Sequence, residues 1–204
     1  MKTIEPLLHP VEITAIRPTQ MTVGMGEVAR KRLQWQGHIE RDGPEFLGRH
    51  MIPVVLGPKE RHWMIDHHHL ALALHQEGVS HVLVNIVADL HDLKRESFLA
   101  FMDSKNWLHP YDAKGERQTA GKLPRHVSGL TDDPYGSLAG ALRRAGGYAK
   151  DATPYSEFLW ANFLRRRINP DMLVKDPEAA LGKALSAARS KDASYLPGWA
   201  GASD

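Results

Sequence analysis

The stretch Met51-Ile52-Pro53-Val54-Val55-Leu56-Gly57-Pro58-Lys59-Glu60-Arg61-His62-Trp63-Met64-Ile65-Asp66-His67-His68-His69-Leu70 decides how this chain is read. Residues 51–56 form an apolar, β-branched run, residues 57–60 are turn material, and residues 61–65 form a second run, so the pair predicts a β-hairpin. Pro53 has no amide proton to give a ladder, which places the start of the first strand at a sheet edge or a strand end. Asp66 is the expected N-cap of a helix over residues 68–77, rich in Ala and Leu and closed by Gly78. The alternating run from His81 to Val87 predicts a further strand.

Upstream, Val11 to Ile16 alternates like a half-buried strand that is expected to stop at Arg17-Pro18. A loop with Gly24 and Gly26 leads into a helix predicted over 27–36, with Gly37 at its C-terminus. Downstream, a short helix is expected over 93–102, then a loop-rich stretch over 106–135, then helices over 138–148, 155–168 and 177–189, with a tail from Gly198 that frays. The expected architecture is α/β in the α+β sense: a mixed sheet with packed helices over residues 1–105 and a loop-rich, then helical, extension over 106–204.

Composition narrows the function classes. Apolar residues are 42% of the 204 and charged residues 25%, so the chain can bury a core. Lys and Arg total 26 against 24 Asp and Glu, which gives no overall field that demands nucleic acid. The absence of cysteine removes disulfides, thiolate metal sites and thiol nucleophiles. No window approaches the roughly 18 apolar residues of a membrane span, and no leader is recognisable at Met1 to Pro6, so no membrane partner and a cytoplasmic location are expected. Twelve histidines are many for this length, and they concentrate between His50 and His91.

The order strand, tight turn, helix leaves the backbone N–H groups after Asp66 unpaired in a first helical turn, where they and the helix dipole favour an anion. His67, His68 and His69 would add donors pointing in different directions, because adjacent residues on a helix do not share a face. The plainer alternative is an Asp cap with histidines covering a helix end. A protein-held metal is not expected, since adjacent histidines cannot readily converge on one ion, whereas a magnesium ion carried in by nucleotide phosphates fits. Arg165-Arg166-Arg167 and Arg143-Arg144 are read as cations that complement helix C-termini.

Residues 52–58, then Met64 to Ala73, then Val82 to Val87 together resemble the core of the ParB/sulfiredoxin superfamily, and within it the group named ParB-like nucleases. The resemblance covers residues 9 to 92. It implies that His69 occupies the superfamily's phosphate-binding histidine position. His68 stands where sulfiredoxin has its reactive cysteine, which excludes that chemistry. Leu70 stands where the signature carries an arginine, and His67 where it carries glycine. The segment from Ile16 to Pro18 and the helix after it resemble the part that faces the nucleotide, which implies roles for Arg17, Glu27, Arg30 and Lys31.

The resulting expectation is an enzyme that hydrolyses or transfers a phosphate, as a nuclease, nucleotide hydrolase or kinase-like phosphotransferase. His67, His68 and Glu27 would move protons; Asp66, His69, Lys31, Arg17 and Arg30 would hold the phosphate. The expected ligand is a nucleotide or phosphorylated small molecule, with nucleic acid as a further candidate. The alternative class is a non-catalytic module that senses a nucleotide or binds DNA. A basic groove from Lys31 past His69 to Arg165 would favour nucleic acid, and a small closed pocket a metabolite.

Overall fold

The computed structural model describes residues 9–202, with the backbone alone described at residues 9 and 40–44. The chain opens with strand β1 (His9–Glu12), a single 3-10 turn over Ile13–Ala15, and the two-residue strands β2 (Arg17–Pro18) and β3 (Thr22–Val23). The expected single strand over 11–16 is therefore broken. Ile13 and Ile16 turn into the core at the corner, and Pro18, rather than ending a ladder, lies in a strand at the sheet edge, where a missing N–H costs nothing.

Helix α1 (Met25–Arg49) has 25 residues, two and a half times the predicted length, and runs straight through Gly37. Its apolar positions beyond that glycine, Phe46 and Leu47, join the same core as Val28 and Trp35, and this packing outweighs the low helix propensity of one glycine. A Cβ at Gly37 would meet nothing within 4 Å. Gly37→Ala is accordingly expected to stabilise the protein by about 0.5–1 kcal/mol in chemical denaturation, and a loss of stability would mean that the helix bends or ends there.

The hairpin is present as β4 (Ile52–Gly57) and β5 (Arg61–Met64), antiparallel, with Lys59 and Glu60 at positive φ in the turn. Helix α2 (His68–Gln76) and strand β6 (His81–Asp89) follow, linked through Gly78 at φ 76° as the helix stop. The sheet order β1-β6-β4-β5-β2 puts β4 at the centre, parallel to β6. Pro53 thus marks a strand start and not a sheet edge.

Side chains from β4 enter both layers. Ile52 and Val54 pack with Leu70, Leu72 and Leu74 of α2, while Val55 and Trp63 pack with Phe98 and Met102 of α3 (Arg95–Ser104) on the opposite face. Because residues 70–74 are all buried, α2 is enclosed on every side, between the sheet, α1 and the 3-10 turn at Val127–Gly129.

After the loops, strand β7 (Thr131–Asp132) pairs in parallel with β3, and α4 (Pro134–Arg144), α5 (Ser156–Arg165), α6 (Pro170–Lys175) and α7 (Pro177–Ala188) build a second apolar cluster around Trp160, Phe163 and Leu164. Helix α6 escaped the sequence reading because six residues carry too little periodicity. The tail does not fray over the described residues. Trp199 donates its indole N–H to the Ala188 carbonyl at 2.9 Å, and Gly198 accepts the Ala149 N–H at 2.7 Å.

Helix α4 lies against the start of α1. A Cβ at Gly24 would stand 2.5 Å from the Ser137 backbone nitrogen, and one at Gly140 would stand 2.7 Å from the Glu27 carboxyl, so both glycines permit the close approach. Met25 N–H donates to Asp132 Oδ1 at 2.9 Å and Gly26 N–H to Ser137 Oγ at 2.9 Å. The N-terminus of α1 is therefore satisfied from within the fold. Among the described residues no helix is long and apolar enough to cross a membrane.

Candidate functional site

The three histidines do three different things. His67, at φ 65°, is the residue preceding the first turn of α2, and its N–H donates to Asp66 Oδ1 at 2.6 Å. Asp66 is thereby corrected as the cap of α2: its carboxylate is exposed and turned onto the neighbouring amide, because the left-handed step at His67 intervenes between it and the helix. The N–H groups of His68, His69 and Leu70 have no acceptor among the described residues, as expected for an uncapped first turn.

His68 is 4% exposed, and its Nε2 accepts the Thr19 backbone N–H at 3.2 Å. Thr19 in turn donates its hydroxyl to the Met64 carbonyl at 2.7 Å. Burial, reinforced by its charged-state repulsion with His69 and His67, pushes His68 down to about 3. An imidazole sealed in this way tethers the β2–β3 connection to α2, and its burial works against the protonated form that the expected proton transfer by His68 would need.

His69 is a quarter exposed, and its Nε2 accepts the Gly24 N–H at 3.1 Å. The remaining proton therefore sits on Nδ1. Burial lowers it to about 4, with Lys31 and Arg143 acting in the same direction and Glu27 and Asp66 against. It is neutral at physiological pH. The His67 ring is also lowered, by burial first and by Lys31, and its Nδ1 is buried without a hydrogen-bond partner.

Lys31, on α1, is half-buried and close enough to influence both His67 and His69. Among the described residues it has no hydrogen-bond or ion-pair partner. Burial and the neighbouring Arg30 lower its pKa, a strain that an anion would relieve.

Glu27 is 4% exposed and accepts from Arg30 at 3.1 Å and from Arg144 across the α1–α4 contact. Burial alone would raise its pKa, but the bonds from Arg144 and Arg30 outweigh it and hold the carboxyl below its ordinary range. A carboxylate so held is a weak base, and its contribution here is to fix the two guanidinium groups.

Arg17 does not join this group. Its register partner on β5 is Trp63, its guanidinium lies 5.4 Å from the Trp63 ring centroid, and Trp63 belongs to the α3 face of the sheet. The assignment of Arg17 to the same phosphate site is corrected on this geometry: paired residues of adjacent strands project from one face, and the histidines lie on the other.

Sequence reading passed over three residues that the fold brings in. Arg144 reaches Glu27, Arg143 lies 3.6 Å from Glu157 Oε2, and Glu157 Oε1 lies 3.9 Å from His69 Nε2. Burial pushes the Glu157 carboxyl up, against the pull of Arg143. The signal for Arg143 and Arg144 was the pair Gly136 and Gly140 one turn apart, which marks α4 as a helix built for close approach. A small recess beside this group is lined by Val23, Gly24, His69, Asp133, Gly136, Glu157 and Phe158. Arg165, the far end of the basic groove that would have favoured nucleic acid, is bound to Asp133 at 2.5 Å and to Asn162 and so offers no free charge to such a groove. Among the described residues no group of three or more His, Asp or Glu is placed to hold a metal ion.

Comparison with known proteins agrees with this architecture. A family model described as "Putative ParB-like nuclease" matches residues 9–166, taking in α4 and α5 together with the sheet. The crystal structure of protein Atu1540 from Agrobacterium tumefaciens superposes with a TM-score of 0.90 at 47% identity, covering 97% of this chain and 100% of that one. No curated protein matches. With its hairpin, its histidine-bearing helix start and its α4–α5 wall all inside the matched span, the chain belongs to the ParB-like nuclease family.

Proposed function

We infer that this chain is a phosphate-ester enzyme of the cytoplasm, one that hydrolyses or transfers a phosphate held between Lys31 and the first turn of α2. The observation that carries this reading is Lys31: a half-buried ammonium without a partner, beside three helix N–H groups without acceptors. Each lacks what the other's ligand would supply, and a phosphate oxygen serves both. Arg30 and Arg144, fixed by Glu27, form a positive wall next to it.

Glu157 is the group best tuned to carry a proton. Its carboxyl is pushed up by burial yet remains partly open to solvent beside His69, the combination that lets a carboxyl hold and give up a proton at a ligand. The ligand class that serves an ammonium and unpaired helix N–H groups together is a nucleotide or other phosphorylated small molecule, and magnesium would enter with its phosphates. The carboxylates at the site are engaged by arginines, so the chain supplies no cage for the ion and no step here depends on it.

The test is turnover of bis(p-nitrophenyl) phosphate and of nucleoside triphosphates. Glu157→Gln is expected to lower kcat by at least about a hundredfold while leaving pyrophosphate binding intact. Full activity in that variant would remove Glu157 from the chemistry.

A further inference from the structure

The connection between α3 and α4 forms an open groove of about 430 Å³ that shares no lining residue with the recess at His69. Its backbone is anchored from below. Leu123 packs with Val55 and Trp63, and Val127 and Leu130 pack in the cluster that holds α2, so the intervening side chains stay exposed along the groove. Gly129 lets this segment fold back tightly, since a Cβ there would stand 2.9 Å from the Pro124 Cβ. On a further wall the Thr131 N–H donates to the Met21 carbonyl at 3.1 Å, at the end of the β3–β7 pair.

The side chains that line this groove carry one sign of charge. Lys122, Arg125 and His126 supply basic groups, Ser128 and Thr131 supply hydroxyls, and among the described residues no Asp or Glu lines it. Lys122 Nζ donates to Gln118 Oε1 at 2.8 Å, a neutral acceptor that leaves the ammonium charge uncompensated. His126 is oriented by the Thr14 carbonyl, 2.8 Å from its Nδ1, so Nε2 is the ring atom left for a ligand. Arg125 is exposed and, among the described residues, has no ion-pair or hydrogen-bond partner, whereas Arg30, Arg143, Arg144 and Arg165 each meet a carboxylate.

We propose that this groove binds a small organic acid carrying two or more negative charges, with its acid groups on Arg125, Lys122 and His126. A single acid group would engage the Arg125 fork and leave the other two unserved, and a second group serves them. The volume falls within the range of about 300–1,000 Å³ found for small-molecule sites. Met21 and Pro124 give the groove an apolar part, which suits a carbon skeleton between the acid groups better than a bare inorganic ion. Carboxylates and phosphates share this chemistry. The proposal does not depend on the α2 site holding a phosphate.

The experiment is a proton–nitrogen NMR titration of the full chain, with citrate in one arm and fructose bisphosphate in the other. At least one acid is expected to shift amides within residues 122–131 saturably, and the arm that binds more tightly identifies the acid groups as carboxylate or phosphate. Arg125 has no contact to break, so Arg125→Gln should keep the wild-type melting temperature. The same variant should weaken binding at least about tenfold, and Arg125→Lys should recover part of the loss because the charge is kept without the fork. If neither acid moves these amides, the proposal is overturned. Unchanged affinity in Arg125→Gln also overturns it, as do shifts confined to the amides of residues 67–70, which would put the anion at α2 instead.

Discussion

Stability is expected to fall steeply as the pH drops below 6.5, and His68 and His109 are the cause. Burial holds His68 at about 3 and His109 at about 4, against 6.5 for a free imidazole. The folded chain therefore refuses two protons that the unfolded chain accepts, and the unfolded state binds more protons throughout the window from 6.5 down to those values. Stability is fully present above pH 6.5 and is lost progressively as the pH falls towards 4. Each imidazole contributes a slope of about 1.4 kcal/mol per pH unit, so the pair gives about 2–3. His69 adds less, since a quarter of its side chain meets solvent.

Urea denaturation at steps from pH 7 to pH 5 reads this slope above the ordinary range of carboxylate titration. His109→Phe isolates one contribution. The His109 ring lies among Tyr111, Tyr155 and Phe158 with centroids 3.9–4.6 Å away, and its Nε2 has no hydrogen-bond partner, so phenylalanine keeps the packing and loses only the titration. The variant is expected to flatten the slope by about half. An unaltered slope would mean that His109 protonates freely in the folded protein.

The second large effect belongs to Asp133. Its side chain is 3% exposed, accepts the Tyr135 N–H at 3.0 Å as the cap of α4, and accepts from Arg165 at 2.5 Å. Arg165 is itself largely buried and lies over the Tyr135 ring. Asp133→Ala removes the cap and leaves a buried guanidinium without its counter-charge, and is expected to cost about 3–5 kcal/mol. Asp133→Asn keeps the cap and should be milder by about 1 kcal/mol. Chemical denaturation distinguishes them. A loss below about 1 kcal/mol in the alanine variant would show that Arg165 finds solvent or another acceptor. Since α4 carries Arg143 and Arg144 to the site, the same variant should weaken phosphate binding through misplacement of those side chains.

What the sequence made legible was local. Hairpin, helix start and following strand could be read from residues 51–87 because apolar runs, turn residues and a glycine stop act over a few positions. The length of α1 could not, since the reason it continues past Gly37 is the contact of Phe46 with Trp35, at 5.5 Å between ring centroids, which propensity does not record. At the site, the importance of the His67–His69 segment was visible as composition, but the division of labour was not. His68 is buried because Thr19, 49 residues away, donates to it. Arg144 meets Glu27 across 117 residues of sequence, and in the chain alone it looks like any cation at a helix end. Asp66 looked like a cap because the left-handed conformation of His67 leaves no trace in residue type.

The account rests on a phosphate lying between Lys31 and the start of α2, and calorimetric titration with inorganic pyrophosphate tests this most directly. The wild-type chain is expected to bind saturably, and Lys31→Met to bind about ten- to a hundredfold more weakly, the equivalent of about 1.5–3 kcal/mol for a hydrogen bond to a charged group, with an unchanged melting temperature. Equal affinity in the two proteins, or no binding by the wild type, would contradict it.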